Sequence, residues 1–423
     1  MTGALPATVT ARRRSTGSRL GPLPVVNLVV LEIGLALGLV LLAVDTALWW
    51  TALGVLLVAA SLALGRWHGR WLVLWFQLTA RYLVRSRRRS ITSPDSVTGP
   101  DPVAAGHPPT SPEPAGGTDD PRVALLRLVL PDLNVAHGTD HQREPLGLAW
   151  NQETWTAVLQ VDAVPSMITP IGGTPRLPLG ALAPCLEDRG VVLDAIQVIW
   201  HCYPGSAALP SSSPALRSYL EVLGPLPAVA RRTTWVAVRL DPRRCLAAVA
   251  ERGGGVVGSH RALIGALSRV RSALESQGIS TRPLDADQLL RAGISAAELS
   301  AVAGTGKPVA LNEGWTAVTA AGVGHASYAI TGWGAGGATP NLNALTGVRA
   351  LSTTVALSLS PGVDGAEVGL RGVIRVSARN PTELVAADGR LQAVSERLGV
   401  SLVPLRGLQA AGLAATLPLG ACT

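Results

Sequence analysis

Lysine is nearly missing from this 423-residue chain: Lys307 stands alone among 35 arginines. With abundant Ala and Gly this reads as coding bias and carries no mechanism. Cysteine is sparse, and Cys185, Cys202, Cys245 and Cys422 are too widely spaced to form a CxxC pair. That excludes a disulfide scaffold and a zinc-ribbon site and fits a reducing compartment. GxSxG, HExxH and CxxC signatures are all absent, so no short motif announces a hydrolase, a metalloprotease or a thiol redox enzyme.

A basic surplus is also missing from most of the chain, although the net charge is +8 and the pI is near 10.1. Eleven arginines precede residue 90, against Glu32 and Asp45 only, a net of +9. The remainder holds 25 basic and 26 acidic residues and so carries −1. Counterion-driven nucleic-acid binding therefore has no basic surface in the bulk of the protein.

What is present is a pair of apolar runs, Val25–Val44 and Leu48–Leu64, separated by Asp45-Thr46-Ala47. Twenty helical residues rise about 30 Å, one hydrocarbon thickness, and seventeen lie at the short end of the usable range. The runs predict a transmembrane helical hairpin over 20–65. A signal peptide is a poorer reading, because the first run is long and continues into a second without a small-residue cleavage site. Arginines flank the pair on both sides and the turn has none, which predicts both termini in the cytoplasm and a multi-pass inner-membrane protein. Trp49 and Trp50 follow the turn, at interface depth.

Within the first run Gly34 and Gly38 form a GxxxG pair with Asn27 on the same face, and Ala59 and Ala63 offer a matching small surface on the second. Glu32 lies roughly 120–160° around the helix from the glycines. An ionisable group inside a span faces protein or water, because lipid exposure costs several kcal/mol. Two readings of Glu32 stand: contact with another subunit, or snorkelling to the cytoplasmic headgroups.

The rest divides into a basic tail (1–19), a basic juxtamembrane helix continuing the second span (66–89), a Pro-rich linker (90–121) and a mixed α/β domain (122–423). The juxtamembrane arginines are placed to meet lipid phosphates. In the domain the patterning predicts a strand at 123–130, a hairpin at 146–161, and a helix at 177–187. A strand at 191–203, a helix at 215–223 and a strand at 233–240 follow. Asp241-Pro242 opens a helix, 259–277 is a long helix and 279–282 a strand, and further helices begin at Asp285 and Ser295. The pattern then restarts with a hairpin at 315–331, a short helix near Asn341, strands at 350–358 and 365–376, a helix at 381–398 and a strand at 401–403. Hairpin, strand and long helix recur, as in an internal duplication.

Four constellations invite chemistry. Ala303-Gly-Thr-Gly-Lys307-Pro308 lacks the first P-loop glycine and the magnesium-binding hydroxyl. Gly332-Trp-Gly334-Ala-Gly-Gly337 fits GxGxxG without an acidic residue close to twenty positions on, and reads as a turn. Asp285-Ala-Asp287 has the Asp-x-Asp spacing with which some glycosyltransferases hold a metal, but opens a helix, where Asp is an ordinary cap. His137-Gly-Thr-Asp140-His141 reads as a solvated loop without a third ligand. The expectation is no catalytic residue, no metal and no cofactor.

Leu20-Gly-Pro-Leu-Pro-Val-Val-Asn-Leu, Leu64-Gly-Arg-Trp-His-Gly-Arg-Trp-Leu, Arg81-Tyr-Leu-Val-Arg and Gly147-Leu-Ala-Trp-Asn-Gln-Glu-Thr-Trp-Thr-Ala-Val-Leu resemble EccE, a membrane component of the actinobacterial type VII (ESX) secretion apparatus. The resemblance implies a structural subunit assembled with EccB, EccC and EccD. It also implies a cytoplasmic domain similar to a glycosyltransferase fold without its catalytic residues. The rival is a membrane-anchored glycosyltransferase acting at the cytoplasmic leaflet, for which Asp285 and Asp287 would hold the metal.

Overall fold

A computed structural model describes residues 19–20, 23–67, 70–92, 120–162, 177–203, 231–334, 342, 344–362 and 368–419. They fall into two compact units, one from Arg13 to Arg87 and the other from Arg88 onward. The helix expected at 215–223 and most of the Pro-rich linker lie outside the described residues.

In the first unit α1 (Val25–Val44) and α2 (Trp49–Leu64) are joined by a short 3-10 turn that Asp45 caps through the Ala47 N–H. Val26–Val44 is the one described helix long and apolar enough to cross a membrane; α2, at 16 residues, is shorter. The second helix does not continue to residue 89. Gly65 leaves it in extended geometry, and a Cβ there would press on the Ser61 carbonyl and Leu72. Arg66–Trp67 then pairs with Arg70–Trp71 before α3 (Leu72–Val84) begins. Arg88–Thr92 is not helical either: it is β1, an outer strand of the second unit's sheet.

That unit is built on a 13-stranded sheet in which every pairing is antiparallel. After α4 (Pro121–Arg127), its strands in chain order are β2 (Asn134–Thr139), β3 (Pro145–Asn151), β4 (Thr154–Val161), β5 (Ala195–Tyr203) and β6 (Arg231–Leu240). Next come α5 (Leu246–Glu251), α6 (Gly255–Glu275), β7 (Thr281–Pro283) and α7 (Ala286–Ala296). The second half holds β8 (Pro308–Glu313), β9 (Val318–Ala320), β10 (Val323–Gly332), β11 (Ser352–Pro361), β12 (Val368–Ala378), α8 (Pro381–Leu398), β13 (Ser401–Pro404) and α9 (Gln409–Ala414). Across the sheet the order is β1-β8-β9-β10-β12-β11-β5-β6-β4-β3-β2, with β7 added to β4 and β13 to β10.

This order is a palindrome about the β5–β11 pair, where Ile199 faces Ala356. Each half runs hairpin, two strands, long helix, short strand, helix, so the duplication expected from the sequence is present as topology. The two hairpins share a two-residue turn with positive φ at both positions, Gln152 and Glu153 in one and Ala321 and Gly322 in the other. Such turns match the right-handed strand twist. After the long helices, Gly278 (φ 74°) and Gly399 (φ 64°) end the chain's helical run in the left-handed region. The Ile279 N–H bonds the Leu274 carbonyl at 3.0 Å, and the Val400 N–H the Ser395 carbonyl at 2.9 Å. Both are glycine-terminated helix ends of the same design. Leu284 N–H then donates to Val158 O and Leu405 N–H to Ser327 O. The residues follow suit: Gly278, Ser280, Pro283, Leu284 and Gln288 recur as Gly399, Ser401, Pro404, Leu405 and Gln409.

Strand alternation sends Leu159, Val198, Val238, Leu357 and Ile374 to one face, under α6 and α8. Val158, Ile199, Ala237 and Ala356 go to the other, under α4, α7 and α9. Two helix boundaries in this unit depart from the sequence expectation. Residues 123–130 begin as a helix rather than a strand, because Asp120 caps through the Arg122 N–H and Pro121 opens the first turn. Ser295 closes α7 rather than opening another helix. The glycosyltransferase-like fold also finds no support, since nucleotide-binding α/β sheets place their crevice at the carboxyl ends of parallel strands and no described pair is parallel.

Candidate functional site

The residues singled out in the first unit meet at the α1–α2 seam. Gly34 faces Ala59 so closely that a Cβ on the glycine would overlap the alanine methyl. A Cβ on Gly38 would sit 3.5 Å from Leu56 Cδ1 and 3.6 Å from the Ala52 carbonyl. Asn27 closes the seam by donating to the Ala63 carbonyl at 2.6 Å, and is 1% exposed. Backbone approach of this kind is what small residues permit between apolar helices. Ala52, 1% exposed, belongs to the same seam and was not singled out from the sequence; its spacing of seven from Ala59 is the signal that could have found it. Glu32 is exposed, away from the Gly34 and Gly38 face.

The second unit holds a buried polar group under the centre of the sheet that sequence reasoning missed. Arg375 on β12, His201 on β5 and His325 on β10 are 0%, 1% and 0% exposed. Arg375 Nη2 donates to Thr354 Oγ1 at 2.9 Å and to the Ala296 carbonyl. Thr354 Oγ1 also lies 2.8 Å from His201 Nδ1. The hydroxyl has two lone pairs and one hydrogen, so it serves either tautomer of the imidazole at Nδ1, and the other ring nitrogen is Nε2. That nitrogen faces Glu298 Oε1 at 3.7 Å. Glu298 holds a positive φ of 58° just after α7, and Tyr203 donates to Ser295 O at 3.0 Å beside it. His325 Nδ1 pairs with Ser377 Oγ at 2.9 Å.

Burial dominates the electrostatics here. It pushes the His201 imidazole down to about 3, with the Arg375 charge adding to the effect. His325 is also held well below the usual histidine value, first by burial and then by Arg375 and His201. Burial raises the Glu298 carboxyl, opposed by Ser352, Arg375 and Tyr203, and lowers Arg375 to about 10. The histidines are therefore neutral, and the group ties β5, β10, β11 and β12 to the end of α7. Its hydrogen bonds go to the protein's own carbonyls and hydroxyls, with the Glu298 carboxylate beside His201.

The sequence motifs take these places in the fold. Asp285 caps α7, its carboxylate accepting from the Gln288 N–H at 2.7 Å in a reciprocal capping box. Asp287 is engaged by Arg122 and Arg291. Gly304 and Gly306 form a left-handed turn that leads into β8 rather than into a helix. Gly332 and Gly334 end β10, and a Cβ on Gly334 would overlap the Leu398 carbonyl; the remainder of that motif lies outside the described residues. His137 sits in strand β2 rather than a loop. Asp140 turns the chain by accepting from the Gln142 and Glu144 N–H groups and pairs with Arg271 at 3.5 Å. Among the described residues no three His, Cys, Asp or Glu side chains are grouped to hold a metal ion, and Cys185, Cys202 and Cys245 are buried free thiols.

Residues 228–330, from the start of β6 to near the end of β10, match the EccE family, described as a type VII ESX secretion system translocon. The chain is 29% identical over 251 residues to the ESX-5 secretion system protein EccE5 of Mycobacterium marinum, covering 57% of this chain and 56% of that one. It is 26% identical over 244 residues to the ESX-1 protein EccE1 of Mycobacterium tuberculosis, covering 56% and 43%. Against EccE1 of Mycolicibacterium smegmatis it is 38% identical over 64 residues, 15% of this chain and 14% of the relative. The chain thus spans about half the length of the first two curated relatives. Across the matched residues, the sequence is similar to those of EccE proteins.

Proposed function

We propose that the chain is a structural, non-catalytic subunit of a type VII (ESX) protein secretion complex in the cytoplasmic membrane. It assembles there with EccB-, EccC- and EccD-like subunits. The observation that carries this reading is the EccE match across β6 to β10, joined to relatives that are named as ESX secretion system proteins. The apolar α1, with arginines on either side of the α1–α2 pair, supports a two-span anchor with both termini cytoplasmic. Gly34, Gly38, Ala59 and Ala63 act in this reading as the packing surface of the anchor, and Glu32, on the exposed side of α1, meets a group of another subunit. The juxtamembrane arginines meet lipid phosphates. Export energy is supplied by a partner ATPase.

The test is purification of the tagged full chain from native membranes, with identification of what copurifies. Stoichiometric recovery of EccB-, EccC- and EccD-like proteins is expected; recovery of the chain alone, or with an unrelated assembly, overturns the reading. Glu32→Leu in the same preparation should lower subunit recovery.

A further inference from the structure

Four large apolar side chains of the second unit stand exposed among the described residues: Leu246, Val256, Val257 and Val385. Three of the four belong to one helix–loop–helix, α5 to α6. The loop is Arg252-Gly253-Gly254, and α6 opens with Gly255, Val256 and Val257. Val256 and Val257 are 59% and 47% exposed. The turn is tight: Gly253, Gly254 and Gly255 all have positive φ, and Gly258 lies against the Val249 carbonyl with no room for a Cβ.

Two arginines, Arg252 and Arg261, border the turn beside Val257. Arg261 Nη1 donates to the Arg252 carbonyl at 3.0 Å and lies over Gly253. Burial is the main cause that lowers Arg269, and the Arg252 and Arg189 charges add to it. Arg269 is paired with Asp188 at 3.1 Å; among the described residues no ion pair is found for Arg189, Arg252 or Arg261, Arg252 Nη1 donates to the Ala248 carbonyl at 2.7 Å, and Glu251 ends α5. The first turn of α6 adds partial positive charge, since its Gly254 cap supplies no side-chain acceptor for the first N–H groups.

We propose that the α5–α6 loop docks on an anionic bilayer surface, with Val256 and Val257 entering the interface and Arg189, Arg252 and Arg261 meeting lipid phosphates. The arginines alone would suit any phosphate. The paired exposed valines select the lipid source, because apolar insertion beside basic side chains is the chemistry of interfacial anchoring. Docking rests on the membrane-anchored reading above.

The full chain is reconstituted in vesicles of phosphatidylcholine, with or without 30% phosphatidylglycerol (a composition on the order of an anionic leaflet), and amide exchange over 246–262 is read by mass spectrometry. Slower exchange, on the order of tenfold, is expected in the anionic vesicles only, and lost in 1 M salt and in the Arg252→Glu/Arg261→Glu double variant. Equal exchange in both vesicles overturns docking, as does protection that survives charge reversal. Protection by inorganic phosphate in detergent without lipid assigns the site to free phosphate and overturns the lipid source. Alkaline carbonate extraction of the same vesicles separates the two readings: a chain released by carbonate refutes the anchor, whereas one retained without protection refutes docking alone. Unchanged exchange in α8 of the double variant confirms that it is folded.

Discussion

Acid should unfold the second unit through its buried histidines, and the structure sets the size of the effect. His201 is neutral in the fold, with a pKa pushed down to about 3, while in the unfolded chain it returns to its usual value near 6.5. A folded-state pKa depressed below the unfolded one gives a histidine whose stabilisation is complete above pH 6.5 and is lost as pH falls toward 3. At pH 5 the unfolded state gains about 2 kcal/mol from protonating this one side chain. His325 acts in the same direction. Glu298 acts against them: its raised pKa gives stability that is present below about 4.5 and lost as pH rises through its folded value. Urea unfolding of the full chain in detergent, followed by tryptophan fluorescence, measures the sum. Trp235 is a suitable reporter because its ring stacks 5.9 Å from the His201 ring. Between pH 7.5 and 5.0 the wild type should lose about 2 kcal/mol more than His201→Gln, which keeps a polar partner for Thr354 but cannot take up the proton. Equal losses in the two proteins would refute the assignment of a buried neutral His201.

Gly34→Leu should separate α1 from α2, because a Cβ there already overlaps Ala59; the cost should be about 1–3 kcal/mol, read as a fall in cross-linking between cysteines placed at Asn27 and Ala63. Gly258→Ala should cost a similar amount in the second unit, the obstacle being the rigid Val249 carbonyl, and its thermal midpoint should drop accordingly. Asp285→Ala should lose about 1 kcal/mol through the α7 cap. The same variant tests the metal reading in calorimetry: manganese binding by the wild type that the substitution abolishes would sink the capping account.

The elements legible in the sequence are those whose signals are local. The 145–161 hairpin carries alternation on both sides of a tight turn, and α8 carries its boundaries in Asn380, Pro381 and Gly399. The α1–α2 seam was visible as a register of small residues on helices with little else to distinguish their faces. What was hidden depends on contacts distant in sequence. Arg375 reads as an unremarkable arginine in a strand until β5, β11 and the end of α7 close round it. Residues 123–130 alternate poorly enough to pass for a buried strand, and only Asp120 and Pro121 betray the helix. The second helix was expected to run on to 89 because the arginine-rich stretch is apolar on one face, yet Gly65 stops it at Leu64.

The duplication carries the most weight for function. Its sequence trace, Gly278 to Gln288 against Gly399 to Gln409, covers the helix end, the added strand and the start of the following helix, where Asp285 caps α7 and no side chain caps α9. Elsewhere the halves diverge where they face each other: on aligning the β4–β6 and β10–β12 registers, Ala237 corresponds to Arg375 and Thr156 to His325. The second half alone thus brings Arg375 and His325 to the shared face, while the first supplies His201 across the β5–β11 seam. A polar group assembled from both halves, bonded to hydroxyls and a main-chain carbonyl through Arg375 Nη2 and the two Nδ1 atoms, ties the halves together across the seam. The antiparallel sheet carries helices on both faces, with α6 and α8 on one and α4, α7 and α9 on the other. Arg375→Met therefore tests the scaffold directly: it should leave the fold's stability within about 2 kcal/mol, since unpaired donors are removed along with hydrogen bonds. Exchange protection at the β5–β11 seam should nevertheless fall relative to the hairpin strands β3 and β4; uniform protection across the sheet would show that the two halves need no polar lock.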